Sequence, residues 1–271
     1  MQKILSLFIV VVTIFIFSCQ QELPEIQLQI EQCKIIRGDY FGGGGMHDSA
    51  QFIYNAQGRL VKWINIDGHY DYYYSGNNIS ARVYTDNSGA TWYIDTVRYN
   101  SDNTISEIVF YDLSGLYSQD TLHNKIIFHY QNNKVTSLDN VDYFDWGFGP
   151  QTDTTFTTIT WNAAGNIEKM RLVNYGNFGW GYDDSVLYQY DANPNYFKLI
   201  HPHFFLFDPQ FELQSGFEPH LAYFYSKNNV SNFNVYGTWD YPVVYGFDST
   251  RKLTKVDMGG FPYMEYQYEC H

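Results

Sequence analysis

Two stretches, DYFDWGFGP (142–150) and NYGNFGWGYDD (174–184), set Trp146, Phe148, Phe178, Trp180 and Tyr182 among glycines and acids. Aromatic rings held in such loops can stack on sugars or grip a peptide; the alternative is that they fold back as a lid over a sheet edge. The same stretches carry carboxylate pairs, Asp183 with Asp184 and Asp142 with Asp145. Glycosidases need two carboxylates flanking the scissile bond, so glycan hydrolysis is the enzymatic alternative. Adjacent loop aspartates are, however, more often solvated turn residues. The ligand-binding candidates are therefore Trp146, Phe148, Trp180, Tyr182 and Asp183, and no catalytic set is assigned.

Other chemistry finds less support. His201 and His203 would share a strand face, with Asp208 or His220 to complete a metal site. Pro202 between them argues against that strand, and no third ligand stands at diagnostic spacing. Ser114 and Ser215 lack the Gly-x-Ser-x-Gly context of a nucleophile elbow. The glycine run Gly42–Gly45 lacks the Lys-Ser/Thr tail of a phosphate loop and reads as a loop. Neither a metal nor a cofactor is expected. With 16 basic against 29 acidic residues, nucleic acid is not an expected partner.

The elements that position these residues come from a repeat. An aromatic anchor, a short polar turn and an apolar residue recur along the chain. The anchors are Tyr54, Tyr74, Tyr99, Tyr130, Trp161, Tyr190, Tyr225 and Phe247. The apolar followers are Leu60, Ile79, Ile105, Val135, Ile167, Tyr196, Val230 and Leu253. Turns such as NAQGR, NSDNT, QNNK and NAAGN favour residues that tolerate positive φ or bond their own backbone. The flanks are rich in Tyr, Phe, Val, Ile and Thr, which suit a pleated, half-buried surface. This spacing predicts an all-β fold: one antiparallel meander of about 16–18 strands, curled into a barrel or strongly curved sheet. Further reversals are read at Asn65–Gly68, Asp86–Gly89, Asp112–Gly115, Asn140–Gly149 and Tyr175–Gly181, with the two aromatic loops on one rim. Asp208-Pro209 and Gly216 predict one short helix near 209–214.

The units YNAQGRL and WNAAGNI are similar to the tyrosine–aspartate repeats of Rhs-type proteins, in a relaxed form in which only Tyr190-Asp191 keeps the aspartate. YDANPNYFKL (190–199), followed by YSKNNV (225–230), resembles a Bacteroidota lipoprotein family of unknown function. That resemblance implies a porin-like, all-β fold over nearly all of the mature chain. It brings no catalytic residues, because its motifs are structural turns.

The N-terminus gives an address. Lys3, the apolar run LFIVVVTIFIF and the sequence IFSC form a secretory signal ending in a lipobox, with Cys19 as the lipid-attachment residue. The apolar run is shorter than the ~20 residues that a membrane-spanning helix needs. Residues 1–18 are thus read as signal peptide, 19–28 as tether and 29–271 as a single domain. Gln20 favours the outer membrane, on its periplasmic or surface face. An integral barrel is disfavoured, since runs such as 60–66 are short and carry charge. Two cysteines remain, Cys33 in the first alternating run and Cys270 in the last. In an oxidising compartment they would pair if the first and last strands are neighbours, and stay as separate thiols if not. The expected role is a non-catalytic binding or structural module of the envelope, for a glycan or peptide or within a larger envelope assembly.

Overall fold

The structure, a computed structural model, describes residues 33–41, 47–113, 121–144, 149, 151–176, 181–195, 220–235, 237–249, 252–257 and 263–270. The first strands are β1 (Cys33–Phe41), β2 (His47–Tyr54), β3 (Leu60–Ile64), β4 (Gly68–Ser75), β5 (Asn78–Asp86) and β6 (Thr91–Tyr99). Next come β7 (Ile105–Asp112), β8 (Thr121–Gln131), β9 (Lys134–Phe144), β10 (Gln151–Trp161), β11 (Ile167–Asn174) and β12 (Tyr182–Pro194). A short helix α1 (His220–Tyr225) precedes β13 (Asn228–Val235), β14 (Trp239–Pro242), β15 (Val244–Phe247), β16 (Leu253–Asp257) and β17 (Tyr263–Cys270).

All pairings are antiparallel, and the seventeen strands form one sheet in which β17 returns to β1. Only Val243 separates β14 from β15; the first half of this stretch pairs with β13 and the second with β16. The result is a nearly closed barrel, as the repeat predicts. The helix expected near 209–214 lies outside the described residues. The helix that is described stands at 220–225, so the Tyr225 anchor ends a helical turn and not a strand.

Five of the turns share one chemistry. At 55–59, 86–90, 100–104, 162–166 and 248–252 the first residue's amide donates to the carbonyl of the fifth. The leading Asn55, Asp86, Asn162 and Asp248 also accept amides within the turn through their side chains. The fourth position needs positive φ, supplied by Gly58, Gly89, Asn103 and Gly165.

Six turns are flanked by a β-bulge at the aromatic anchor. The register slips between Ile53 and Tyr54, Tyr73 and Tyr74, Arg98 and Tyr99, His129 and Tyr130, Thr160 and Trp161, and Gly246 and Phe247. The extra residue lets two positions three apart on the following strand both point inward. Leu60 and Trp63, Ile105 and Ile108, Val135 and Leu138, Ile167 and Met170, Val230 and Phe233, and Leu253 and Val256 are all buried. One cluster holds all of these residues, and each fully buried aliphatic side chain contributes about 1.5–3 kcal/mol. A round wall of so many strands would enclose a water channel. Here Ile79, Leu138, Met170 and Val230 are completely buried, so at their level the interior is filled and not open to water.

Side chains at or near most of the anchors tie a unit to the one before it. The hydroxyls of Tyr74, Tyr99, Tyr190 and Tyr245 donate to the carbonyls of Leu60, Ile79, Ile167 and Val230. Trp161 Nε1 donates to Val135 in the same way. The outer face carries cross-strand ion pairs, Lys62–Asp71, Arg98–Glu107 and Arg171–Asp183, and a His129–Asp139 hydrogen bond, among exposed apolar side chains such as Ile53, Phe156 and Leu187.

Candidate functional site

Away from the turn rim, the interior changes from apolar to polar. On β10, counting inward-facing positions back from Ile159 gives Thr157, Thr155 and Asp153. Register places Asn124 of β8 opposite Asp142 of β9, and Asp142 opposite Asp153 of β10. One step nearer the turn rim, Asn140, Thr155, Asn174 and Tyr182 are successive partners across β9 to β12.

These side chains bond one another. Asn124 Nδ2 donates to Asn140 Oδ1 and to Asp142 Oδ1, each at 2.6 Å. Asn174 Nδ2 donates to Asp153 Oδ2 at 2.9 Å and to Thr155 Oγ1 at 3.2 Å. The Thr155 and Tyr182 hydroxyls are 3.1 Å apart. Burial raises the Asp142 carboxyl above the usual carboxylate range; the Asn124 amide and nearby His123 pull it back, and Asp153 raises it. Asn124 is 3% exposed, and its Oδ1 is a buried acceptor with no hydrogen-bond partner among the described residues. The layer is therefore rich in acceptors, and one of them, Asn124 Oδ1, has no donor among the described residues.

The row continues toward the chain's beginning. Tyr72, Arg82, Asp95, Phe110 and Asn124 are successive register partners across β4 to β8. Beside it runs an aromatic ladder of direct partners on β2 to β6, Phe52, Trp63, Tyr70, Tyr84 and Tyr93. Its ring centroids are 4.7–6.3 Å apart. Arg82 stacks its guanidinium over Tyr70 at 4.7 Å and pairs with Asp95.

Of the sequence candidates, Trp146, Phe148 and Trp180 lie outside the described residues. They belong to the connections β9–β10 and β11–β12, which leave the same rim, directly beyond Asp142, Asp153 and Asn174. Tyr182 and Asp183 belong to β12 and not to a loop. They point to opposite faces: Tyr182 turns inward to Thr155, while Asp183 is outside, paired with Arg171 at 2.5 Å. That bond holds the Asp183 carboxyl below the usual range. Asn140–Phe144, read as part of a reversal, is strand, because Asn140 and Asp142 are satisfied inside the barrel. Asp142 and Asp183 thus face different sides of the wall, and nothing in this arrangement supports the hydrolase alternative.

Sequence reasoning missed Asn124, Asp153, Thr155 and Asn174. The usable signal was strand phase: stepping by two from Ile159 or Leu172 leads to each of the last three. No group of three or more His, Cys, Asp or Glu able to hold a metal ion occurs among the described residues.

No protein-family model matches the chain, and no curated protein does. Among solved structures it is similar to a porin-like protein from Bacteroides uniformis, at 10% identity over 87% of this chain and 98% of that one, with a TM-score of 0.46. It is similar to a porin-like protein from Bacteroides vulgatus at 9% identity, over 87% of this chain and 98% of that one, with a TM-score of 0.49. A third likeness is to TcdB2-TccC3-TEV, at 12% identity over 80% of this chain and 10% of that one, with a TM-score of 0.36.

Proposed function

We propose that this chain is a lipid-anchored envelope protein whose barrel binds a glycan at the polar end of its interior, without catalysis. Residues 1–18 are its signal peptide, Cys19 carries the lipid and 19–28 form the tether to the outer membrane. The carrying observation is the acceptor row Asn124–Asp142–Asp153, in which Asn124 Oδ1 is buried and unpaired. Sugar hydroxyls are the donors that such a row lacks. Trp146, Phe148 and Trp180, on the connections from that rim, supply ring faces of the kind that pack on sugars. The charged outer face speaks for a barrel that sits beside the membrane and not within it, since a spanning barrel needs an outward apolar band.

A glycan array probed with the mature protein tests the reading. Retention of a defined glycan, weakened about tenfold or more in Asp142→Asn and in Asn124→Leu, is expected. An array with no retained glycan, or one on which both variants bind like the parent, defeats it; selective retention of peptides instead of glycans defeats the ligand class. Cys19→Ser should move the protein from the membrane fraction to the soluble fraction.

A further inference from the structure

Cys33 and Cys270 are the first residue of the first strand and the last residue of the last, and they are register partners in the pair that closes the barrel. β1 pairs with β2 from Arg37 onward, so among the described residues the backbone of 33–35 pairs with β17 and not with β2. Among the described residues, the strand pairs on either side of the seam, β16–β17 and β1–β2, also lack the hydroxyl rung that ties other units together. The hydroxyls of Tyr54 and Tyr268, which flank it, are buried without a hydrogen-bond partner among the described residues. Burial, the leading cause, drives both phenols well above their ordinary range. Tyr74, Tyr99, Tyr190 and Tyr245 all have a carbonyl at the equivalent place.

Directly opposed residues of an antiparallel pair have Cα atoms about 4.5–5.5 Å apart. A disulfide spans about 4.4–6.8 Å between Cα atoms. We propose that Cys33 and Cys270 form a disulfide that clasps the seam, beside which the tyrosine rungs are missing. Each thiol loses its proton, the pair loses two electrons, and a protein disulfide donor takes up both as it becomes a dithiol. The supply of that donor rests on the envelope address proposed above. The position has a mechanical sense. A pull on the tether reaches the Cys33–Cys270 pair before any other described pair of the sheet, and the bond resists the unzipping of β1 from β17.

The test compares two preparations of the mature chain, thiols alkylated at once and peptides mapped without reduction. Protein from the envelope fraction and protein equilibrated with oxidised glutathione should both give a linked Cys33–Cys270 peptide. Reduction should lower Tm by about 5–15 °C. The double variant Cys33→Ser, Cys270→Ser should melt like the reduced parent and ignore reductant. Two alkylated thiols after equilibration with oxidised glutathione, or a double variant as stable as the oxidised parent, overturn the clasp. A link that forms in the buffer but is missing from cell-derived protein supports the clasp and overturns the envelope address instead.

Discussion

Arg82 and Asp95 lie directly opposite one another across β5 and β6, both inside the barrel and only 5% and 3% exposed. Arg82 stands three residues after Ile79, at the place where the other repeat units bury Trp63, Ile108, Leu138, Met170, Phe233 or Val256. One unit thus puts a cation where its siblings put a hydrocarbon, and Asp95 answers it.

Removing Asp95 alone should therefore be severe. Asp95→Ala leaves a buried guanidinium without its carboxylate and should cost about 3–5 kcal/mol in chemical denaturation. The apolar pair Arg82→Met with Asp95→Leu should recover most or all of that loss. A double variant as unstable as Asp95→Ala would show that the pair holds the wall in register by more than mutual neutralisation.

Asp142 should impose a pH dependence of opposite sign to that of an ion-paired carboxylate. Its folded-state value is raised, chiefly by burial, so the folded protein holds this proton more tightly than the unfolded chain. Its contribution to stability is greatest at low pH, falls as pH rises from the unfolded value near 4 through the raised folded value, and is flat above it. Asp142→Asn keeps the acceptor for Asn124 and cannot ionise. Thermal melts from pH 3 to 8 should show the variant more stable than the parent at neutral pH and equal to it at the acid end. A variant less stable at neutral pH contradicts this.

The hydroxyl rungs give a paired comparison. Tyr190→Phe removes the donor to the Ile167 carbonyl and a 2.8 Å contact with Ser226 Oγ, and should cost about 1–3 kcal/mol. Tyr54→Phe removes a buried hydroxyl that has no partner among the described residues, and should be neutral or stabilising by up to about 1 kcal/mol. Equal losses in urea titrations of the two variants would mean that the rungs are not what distinguishes them.

The meander was legible because turn chemistry is local. Asn55 and Asn162 cap their own turns, and Gly58 and Gly165 supply the positive φ that those turns need. The paired inward positions were harder to see. A bulge places Leu60 and Trp63 on one face at a spacing of three, which alternation by two reads as opposite faces. The polar layer was hidden for a related reason. Asp142 and Asp153 look like loop and surface residues until their cross-strand partners are known, and register is a property of two distant segments. Tyr182 and Asp183 were misplaced together because nothing local marks where the strand begins.

The hand-over at Val243 has a consequence for how the wall fails. Trp239–Pro242 and Val244–Phe247 each have hydrogen-bonded neighbours along a single edge among the described residues, one to the left and the other to the right. Parting the hoop there breaks fewer bonds than parting it at the long β8–β9 or β9–β10 ladders. Amide protons of these two short segments should be the first to meet solvent, and unrolling should spread from that notch around the circumference in both directions.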